Sequence, residues 1–339
     1  MNASREKIPG AALEPHPLDY DWRFTPATSE RIGSLLPKQG TTLLLGTHSV
    51  VPFVHRSDPD SVVLVDWNPL IAEFTKSHFV VDLRDEELSI PSGMSFSSVV
   101  IDAPWYPDDL FSWIGHAIRH LDTGGLMLVV LWRDNTRPTA STERQEILTF
   151  LSGIGRIAVY TEFVRYTTPP FERIALTHAG IPVGPEWRSA DLVAVRLENR
   201  IVPPQVRPSI DPAAQWCRFS IDSRQIAIRT SRFNSAGSIP PTLNPIASAD
   251  GWVLPSVSRR DPRRPLIDIW TSRNFAAQAT NPEAFIAALT ALTQSPFRND
   301  SADDAIKNES IATALDLLIS HDIIPTDNPK RIDQWCHRD

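Results

Sequence analysis

Short, continuous apolar segments recur between residues 41 and 132, and they constrain the fold more than any other feature of the sequence. The first two of these segments run into Gly46 and Asp66. Such runs are typical of strands buried on both faces of a parallel sheet, because neither face needs polar side chains. We predict buried strands at residues 41–46, 61–67, 78–83, 97–104 and 126–132.

Segments with a helical pattern lie between these predicted strands. Asn68-Pro69 has the form of a helix cap followed by a first-turn proline. Apolar side chains recur at helical spacing across residues 108–121, and a third helix is predicted at 142–151. This β-α-β-α alternation predicts a parallel sheet with right-handed crossover connections.

Two further strands are predicted at residues 156–166 and 189–198. The connection between them contains residues 167–172 and shows no clear helical pattern. Strands joined without a crossover helix usually pair in antiparallel fashion. We therefore predict an antiparallel hairpin at the edge of the sheet.

The proline-rich segment 201–215 has the composition of a linker. After it, residues 216–231 alternate like paired strands, residues 238–251 have the composition of a loop, and residues 265–272 predict another strand. A helix follows Asn281-Pro282. The last apolar stripe, at residues 309–325, predicts a helix that resembles the end of a winged-helix unit.

These patterns predict four parts of the chain. They are an N-terminal extension that packs on the core (1–39), an α/β domain (40–200), the linker (201–215) and a smaller α+β domain (216–339). The smaller domain is a candidate surface for a protein partner.

Composition excludes several classes of protein. The two cysteines, Cys217 and Cys336, are too few for a disulfide framework or a cysteine-based metal centre, and we predict no metal site. No apolar run reaches the roughly 20 residues that cross a bilayer, so we expect a cytoplasmic protein without a membrane partner. The formal net charge of -7 argues against a surface that is basic throughout. Residues 259–264 are the best candidate for a local basic patch.

Polar residues follow the apolar runs at the predicted carboxyl ends of the strands. Gly46 follows the first, Asp66 the second, Asp82 the third and Asp102 the fourth, and Gly124-Gly125 precedes the fifth. With these positions, residues 40–198 resemble the class I S-adenosylmethionine-dependent methyltransferases. The resemblance implies a Rossmann-like sheet that carries S-adenosylmethionine outside the carboxyl ends of its strands.

The resemblance also implies roles for individual cofactor-binding residues. Gly46 and Thr47 would lie beside the methionine part of the cofactor. Asp66 would accept hydrogen bonds from the ribose hydroxyls, as a carboxylate can accept two at once. Trp67 would pack on the adenine face. Asp82 would approach the adenine amino group.

The segment Asp102-Ala103-Pro104-Trp105-Tyr106 is similar to the D-P-P-[YFW] signature of methyltransferases that modify amino nitrogens. The similarity implies that Asp102 and a carbonyl of Ala103 or Pro104 hold the amine, and that a ring of Trp105 or Tyr106 stacks on the base. An amine that attacks a methyl group must be held in line with its lone pair free, so two acceptors for its N–H groups are useful.

The sequence departs from the family pattern at two positions. The first loop has the single glycine Gly46 and carries His48 where a small residue would allow close backbone approach. Ala103 replaces the first proline of the signature, which removes backbone rigidity. Each acid also has a structural explanation: Asp66 as a helix cap, Asp82 as part of a solvated acidic loop, and Asp102 as part of a strand-end turn.

Three functions therefore remain open. The first is methyl transfer to an amino nitrogen, with a nucleic-acid base as the expected acceptor. The second is aminopropyl transfer to a polyamine, although the first loop, Thr47-His48-Ser49, lacks the carboxylates that a polycation needs. The third is a catalytically silent methyltransferase-like scaffold or partner subunit, which the missing glycines and Ala103 favour.

Overall fold

The computed structural model describes most of the chain. The described residues are 13–54, 61–72, 75–83, 88–91, 94–203, 216–230, 241–246, 251–294 and the positions 312, 313, 315, 316 and 318. The predicted linker lies largely outside them, as does most of the final helical segment with its winged-helix resemblance. The boundaries of the predicted domains stay a prediction.

A seven-stranded sheet forms the centre of the larger unit. Its strands are β1 (Thr42–Leu45), β2 (Val62–Asp66), β3 (Ser77–Val80), β4 (Phe96–Ile101), β5 (Leu121–Leu131), β6 (Gly155–Arg165) and β7 (Ser189–Leu197). They lie in the order β3-β2-β1-β4-β5-β7-β6. The first five are parallel, whereas β7 runs antiparallel to both of its neighbours. The fold is the predicted α/β, Rossmann-like sheet with a final antiparallel hairpin.

Helices cover both faces of this sheet. They are α1 (Pro26–Leu35), α2 (Pro69–Ala72), α3 (Pro107–His120), α4 (Ala140–Ile154) and α5 (Pro170–His178), with a 3₁₀ helix at His48–Phe53. Successive side chains of a strand point to opposite faces. Leu45 therefore packs with α3 and α4 in one apolar cluster, and Leu44 packs with α1 and the 3₁₀ helix in the other. This two-sided burial explains the continuous apolar runs in the sequence.

The connection between β6 and β7 contains a helix that the sequence analysis did not predict. Residues 167–172 were expected to form a loop, but α5 begins at Pro170 within them. Proline is favoured in the first helical turn because its missing N–H would have no partner there. Phe171 and Ala175 bury one side of this short helix. The strands themselves pair in antiparallel fashion, as predicted.

A second, five-stranded antiparallel sheet follows the linker. Its strands are β8 (Trp216–Ile221), β9 (Arg224–Arg229), β10 (Thr242–Pro245), β11 (Ile269–Thr271) and β12 (Ala276–Thr280), in the order β10-β12-β11-β9-β8. Helix α6 (Pro282–Gln294) packs on it through Phe285 and Leu289. The β8–β9 pair and α6 were predicted. Strand β10 lies in a segment predicted as loop, and β12 was not predicted.

Buried polar contacts join the two sheets. Asn68, just after β2, donates its side-chain N–H groups to Asp19 (2.7 Å) and to Gln225 of β9 (2.9 Å). Arg218 of β8 pairs with Asp19, and Arg259 pairs with Asp109 of α3 (2.8 Å). The N-terminal segment therefore contacts both sheets. Across the described part of the chain, no helix combines the length and the apolar character that a bilayer crossing requires.

Candidate active site

A cavity of about 780 Å³ opens at the carboxyl ends of the parallel strands. This is the edge of an open α/β sheet at which ligands commonly bind. The cavity brings together eight of the predicted site residues: Gly46, Asp66, Trp67, Asp82, Asp102, Pro104, Trp105 and Tyr106. The ninth, Thr47, is buried and does not line the cavity. Its side chain is therefore not placed to bind a cofactor there.

Gly46 lies in the floor of the cavity between β1 and β4. Its φ of 63° lies in the left-handed region, which glycine adopts without steric cost. A Cβ atom at this position would lie 2.9 Å from the Trp113 ring of α3 and 3.3 Å from the carbonyl oxygen of Asp102. The single glycine of the first loop is thus required both by the backbone and by the aromatic ring beside it.

Asp66 ends β2 at the cavity wall. Its Oδ1 accepts a hydrogen bond from the backbone N–H of Asn68 (2.9 Å), while Asn68 itself caps the start of α2 by accepting from Leu70 N–H (3.0 Å). Burial raises the pKa of Asp66 to about 8, although the hydrogen bond from Asn68 opposes this shift. The helix cap is Asn68, so Asp66 is not needed for that purpose.

His48 lies behind Asp66. Its ring nitrogens lie 3.7 Å from a carboxylate oxygen of Asp21 and 4.0 Å from one of Asp66. Burial lowers the pKa of His48 to about 4 despite these carboxylates, so the imidazole is neutral at neutral pH. His48, which stands where the family pattern has a small residue, therefore adds bulk to the first loop but no positive charge.

Trp67 and Asp82 lie at the acidic side of the cavity. The Trp67 ring faces the Arg218 guanidinium, which is 4.9 Å from the ring centroid, and it packs with apolar residues of the second sheet. Asp82 follows β3 and lines the cavity. Both lie where the resemblance implies an adenine-binding region. Trp67 also packs against the C-terminal unit, by which we mean the part of the chain from residue 216 onward.

Asp102 follows β4 and is the acid of the predicted signature. Its Oδ1 accepts a hydrogen bond from the hydroxyl of Tyr166 (2.8 Å), which follows β6. Burial raises the pKa of Asp102 to about 8, against the opposing effects of Tyr166 and Arg188. Burial and the nearby Asp102 carboxylate also raise the pKa of Tyr166 well above its usual value, so this hydroxyl remains protonated.

The two aromatic residues of the signature face different neighbours. Trp105 packs edge-on against Tyr166, with ring centroids 5.9 Å apart. Tyr106 points to the C-terminal unit, where the Arg259 guanidinium lies 3.5 Å from its ring centroid and the Ser258 hydroxyl lies 3.2 Å from its own. The carbonyl of Pro104 already accepts the N–H of Tyr106 (2.6 Å). Trp105 is therefore the ring of the signature that lies closer to the surroundings of Asp102.

A set of tryptophan rings surrounds Arg188 on the far side of Asp102. The guanidinium carbon lies 3.7 Å from the ring centroid of Trp22, 5.0 Å from that of Trp105 and 5.3 Å from that of Trp187. A carboxylate oxygen of Glu172 lies 3.6 Å away. Burial lowers the pKa of Arg188 from its usual value, although Glu172 opposes this shift. Such a wall can hold flat or cationic groups by stacking.

Several cavity residues were missed in the sequence because they lie far from the strand ends that the pattern identifies. Asp19 and Asp21 come from the N-terminal segment, Tyr166 follows β6, and Ser258 comes from the C-terminal unit. The alternation of acid and aromatic residues in Asp19-Tyr20-Asp21-Trp22 was an available signal. In the predicted basic patch at 259–264, Arg259 pairs with Asp109 and Arg263 with Asp261.

Comparisons with known proteins give only distant likenesses. No family model matches the sequence, and no curated protein matches it. Among solved structures, the branched-chain polyamine synthase from Thermus thermophilus, in complex with N4-aminopropylspermidine and 5'-methylthioadenosine, is 18% identical with a TM-score of 0.49. The match covers 60% of this chain and 68% of that one.

Two methyltransferases are more distant still. An rRNA methylase from Streptococcus thermophilus is 9% identical with a TM-score of 0.32, covering 51% of this chain and 95% of that one. The N-methyltransferase NodS from Bradyrhizobium japonicum, in complex with S-adenosyl-L-homocysteine, is 12% identical with a TM-score of 0.33, covering 51% and 85%. The fold class therefore rests on the strand order, and the function on the cavity itself.

Proposed function

We propose that this chain transfers a methyl group from S-adenosylmethionine to an amino nitrogen, with a nucleic-acid base as the acceptor. The observation that carries the proposal is that Asp66 and Asp102, from two different strands, line one cavity at the ligand-binding edge of the sheet. Both carboxyl groups have a raised pKa because of burial, as is common for groups with a functional task.

The residues on the acidic side of the cavity fit the proposed cofactor. Asp66 presents a carboxyl group that can accept from two ribose hydroxyls, and Gly46 leaves room beside the chain where a side chain would clash. Asp82 and the ring of Trp113 line the same region. When bound, S-adenosylmethionine supplies an activated methyl group on a positively charged sulfur. The aromatic rings that line the cavity favour such a charge electrostatically.

Asp102 would hold and then deprotonate the acceptor amine. Tyr166 donates to Oδ1, which fixes the orientation of the carboxylate and leaves Oδ2 to accept an N–H of the amine. Once Asp102 is ionised, its carboxylate can take the proton that the nitrogen loses on methylation, and its pKa of about 8 places the acidic limb of the pH–rate profile near pH 8. Trp105 offers a ring for a base to stack on. Most of the rate would come from this positioning.

Aminopropyl transfer to a polyamine is a second candidate with one specific observation in its favour. Asp19 and Asp21 bring to the cavity the carboxylates that the first loop lacks in the sequence. Arg218 and Arg23, however, pair with these two acids. Of the four arginines at the other end of the cavity, three pair with glutamates, and Arg260 forms no ion pair among the described residues and would repel a polycation. Methyl transfer therefore remains the better supported function.

The test is a mass-spectrometric assay of product formation. The purified full chain is incubated with S-adenosylmethionine and a panel of nucleosides, nucleotides and oligonucleotides, and in parallel with decarboxylated S-adenosylmethionine and spermidine. We expect methylated nucleotide product, its loss in Asp102→Asn, and full activity in Asp122→Asn at the opposite edge of the sheet. Aminopropylated product alone would replace the proposal with the second candidate, and no product in either arm would refute both.

A further inference from the structure

The acidic and the basic side chains of the cavity lie at different ends of it. The carboxylates of Asp66, Asp82 and Asp102 lie at the ends of β2, β3 and β4, with Asp19 and Asp21 beside them. The arginines lie at the other end: Arg133 and Arg137 follow β5, Arg188 precedes the antiparallel β7, and Arg260 comes from the C-terminal unit. Since β5 lies next to β4 and β7 lies next to β5, both on the side away from β2, the cavity has an acidic end and a basic end.

The basic end carries more positive than negative charge on its wall. Arg133 pairs with Glu162 (2.7 Å) and Arg137 pairs with Glu143, but neither glutamate lines the cavity. Arg188 pairs with Glu172, which does line it. A wall of this composition attracts an anionic group into the cavity.

Arg137 and Arg260 are the arginines best placed to receive such a group. Arg260 is exposed, and within the described ranges it forms no ion pair. The Nε atom of Arg137 is buried and has no hydrogen-bond acceptor among the described residues. Arg137 and Arg260 both line the cavity. Although partial burial acts to raise the pKa of Glu143, hydrogen bonds from Arg137 and Thr139 and the charges of Arg137 and Arg260 hold it below its usual range, so both guanidinium groups act on this carboxylate.

The rings of the signature connect this pair of arginines to Asp102. Arg260 lies 5.4 Å from the ring centroid of Tyr106, and the next ring along the chain, Trp105, lies beside Tyr166 and Asp102. A ligand with its amine at Asp102 would thus pass along aromatic rings before it reaches the arginines. A nucleotide has this order of parts: an amino group, a flat base, and a phosphate.

We propose that Arg137 and Arg260 form a phosphate subsite, so that the methyl acceptor is a nucleotide unit whose base amine lies at Asp102. The identity of the amine in this inference rests on the proposed function. The phosphate subsite itself does not depend on that function. Guanidinium groups match the geometry of phosphate oxygens and donate charge-assisted hydrogen bonds to them. A free nucleotide and a nucleic-acid strand share this chemistry.

The subsite also assigns a role in ligand binding to the C-terminal unit. Arg260 lies in segment 255–260, which is tied to the larger unit by the Ser258–Tyr106 contact (3.2 Å) and the Arg259–Asp109 ion pair (2.8 Å). Four other residues of the segment line the cavity: Pro255, Ser256, Val257 and Ser258. The connection between β10 and β11 therefore supplies part of the acceptor site.

A calorimetric titration tests the subsite without relying on catalysis. The full chain is titrated with the four ribonucleoside 5'-monophosphates, with the matching nucleosides, and with a mixed-sequence single-stranded oligonucleotide. We expect at least one monophosphate to bind tenfold or more tightly than its nucleoside at low salt, and this preference to fall as salt rises. If the oligonucleotide binds more tightly than the monophosphates, the phosphate belongs to a nucleic-acid strand. If the two bind equally, the ligand is a free nucleotide.

Variants locate the effect at the two arginines. Arg260→Ala changes an exposed side chain, so the variant should fold normally, as circular dichroism can check. We expect it to reduce the phosphate preference to about threefold or less, and Arg260→Glu to abolish it. Arg137→Ala should act in the same direction. Arg156→Ala, whose side chain is 82% exposed at the other edge of the sheet, should change nothing.

The possible failures are distinguishable. If nucleosides bind as tightly as nucleotides, if no nucleotide binds, or if Arg260→Ala keeps the preference, the subsite is refuted. Methylation of an amine without any effect of its phosphate would refute the subsite and leave the proposed function standing. A phosphate preference that depends on Arg260, together with no methyl transfer to any nucleotide, would refute the proposed function and leave the subsite standing.

Discussion

Replacing Asp102 with asparagine should stabilise the protein at high pH while it removes activity. The pKa of this carboxyl is about 8 in the folded chain, against an ordinary value of 3.8, because burial disfavours its charged form. Below pH 4 both the folded and the unfolded chain bind the proton, so the residue has no effect on stability there. Between pH 4 and 8 the unfolded chain loses the proton first, and the free energy of unfolding falls. Above pH 8 the loss is complete.

The size of the effect follows from the interval between the two pKa values. One pKa unit corresponds to about 1.4 kcal/mol, which gives an upper bound of roughly 6 kcal/mol for the cost of ionising Asp102. The side chain is only partly shielded from solvent, so relaxation and water reduce this cost. We expect a gain of about 2 kcal/mol for Asp102→Asn at pH 9 relative to pH 5. Asparagine can still accept the hydrogen bond from Tyr166, so that contact is retained.

Urea denaturation at pH 5, 7 and 9 measures this gain directly. The quantity of interest is the difference in the free energy of unfolding between Asp102→Asn and the unmodified chain at each pH. Asp122→Asn, at the start of β5 and away from the cavity, is the matched control for the substitution itself. A flat difference for Asp102→Asn, or one that becomes unfavourable as pH rises, would refute the assignment of a raised pKa to this carboxyl.

Three further substitutions follow from individual contacts. Gly46→Ala should lower the free energy of unfolding by about 2 kcal/mol in urea denaturation, because of its positive φ and the Trp113 ring; Gly153→Ala, in open space on α4, should not destabilise. Tyr166→Phe removes a hydrogen bond that lowers the pKa of Asp102, so the acidic limb of the pH–rate profile should move to higher pH; an unchanged profile would contradict this. Asn68→Ala breaks a helix cap and the contacts with Asp19 and Gln225, and should destabilise by about 2 kcal/mol in the same denaturation assay.

The parallel sheet could be predicted from the sequence because burial on both faces produces continuous apolar runs. The ends of those runs then locate the cavity edge, since the carboxyl ends of parallel strands share one side of the sheet. Gly46, Asp66, Asp82 and Asp102 were all found in this way, and all four line the cavity. Local pattern and topology were sufficient for these residues.

The sequence contains no comparable pattern for contacts between distant parts of the chain. Asp21 and Arg260 reach the same cavity from segments that precede and follow the whole parallel sheet. Helix α5 was missed because Pro169-Pro170 suggests a loop, although a proline in the first turn is compatible with a helix. Thr47 was predicted as a site residue because it follows Gly46. In the structure, the side chain of Thr47 is buried.

The central claim is that Asp66 and Asp102 border a single site for an adenosyl sulfonium cofactor. Calorimetry with S-adenosylmethionine at pH 7, in two buffers of different ionisation enthalpy, tests it most directly. Asp66 is largely protonated in the free chain, because its pKa is about 8, and it would ionise on binding the ribose. We predict binding with release of up to about one proton, and at least tenfold weaker binding without that release in Asp66→Asn. Equal affinity of the two proteins, or no binding by the unmodified chain, would contradict the claim.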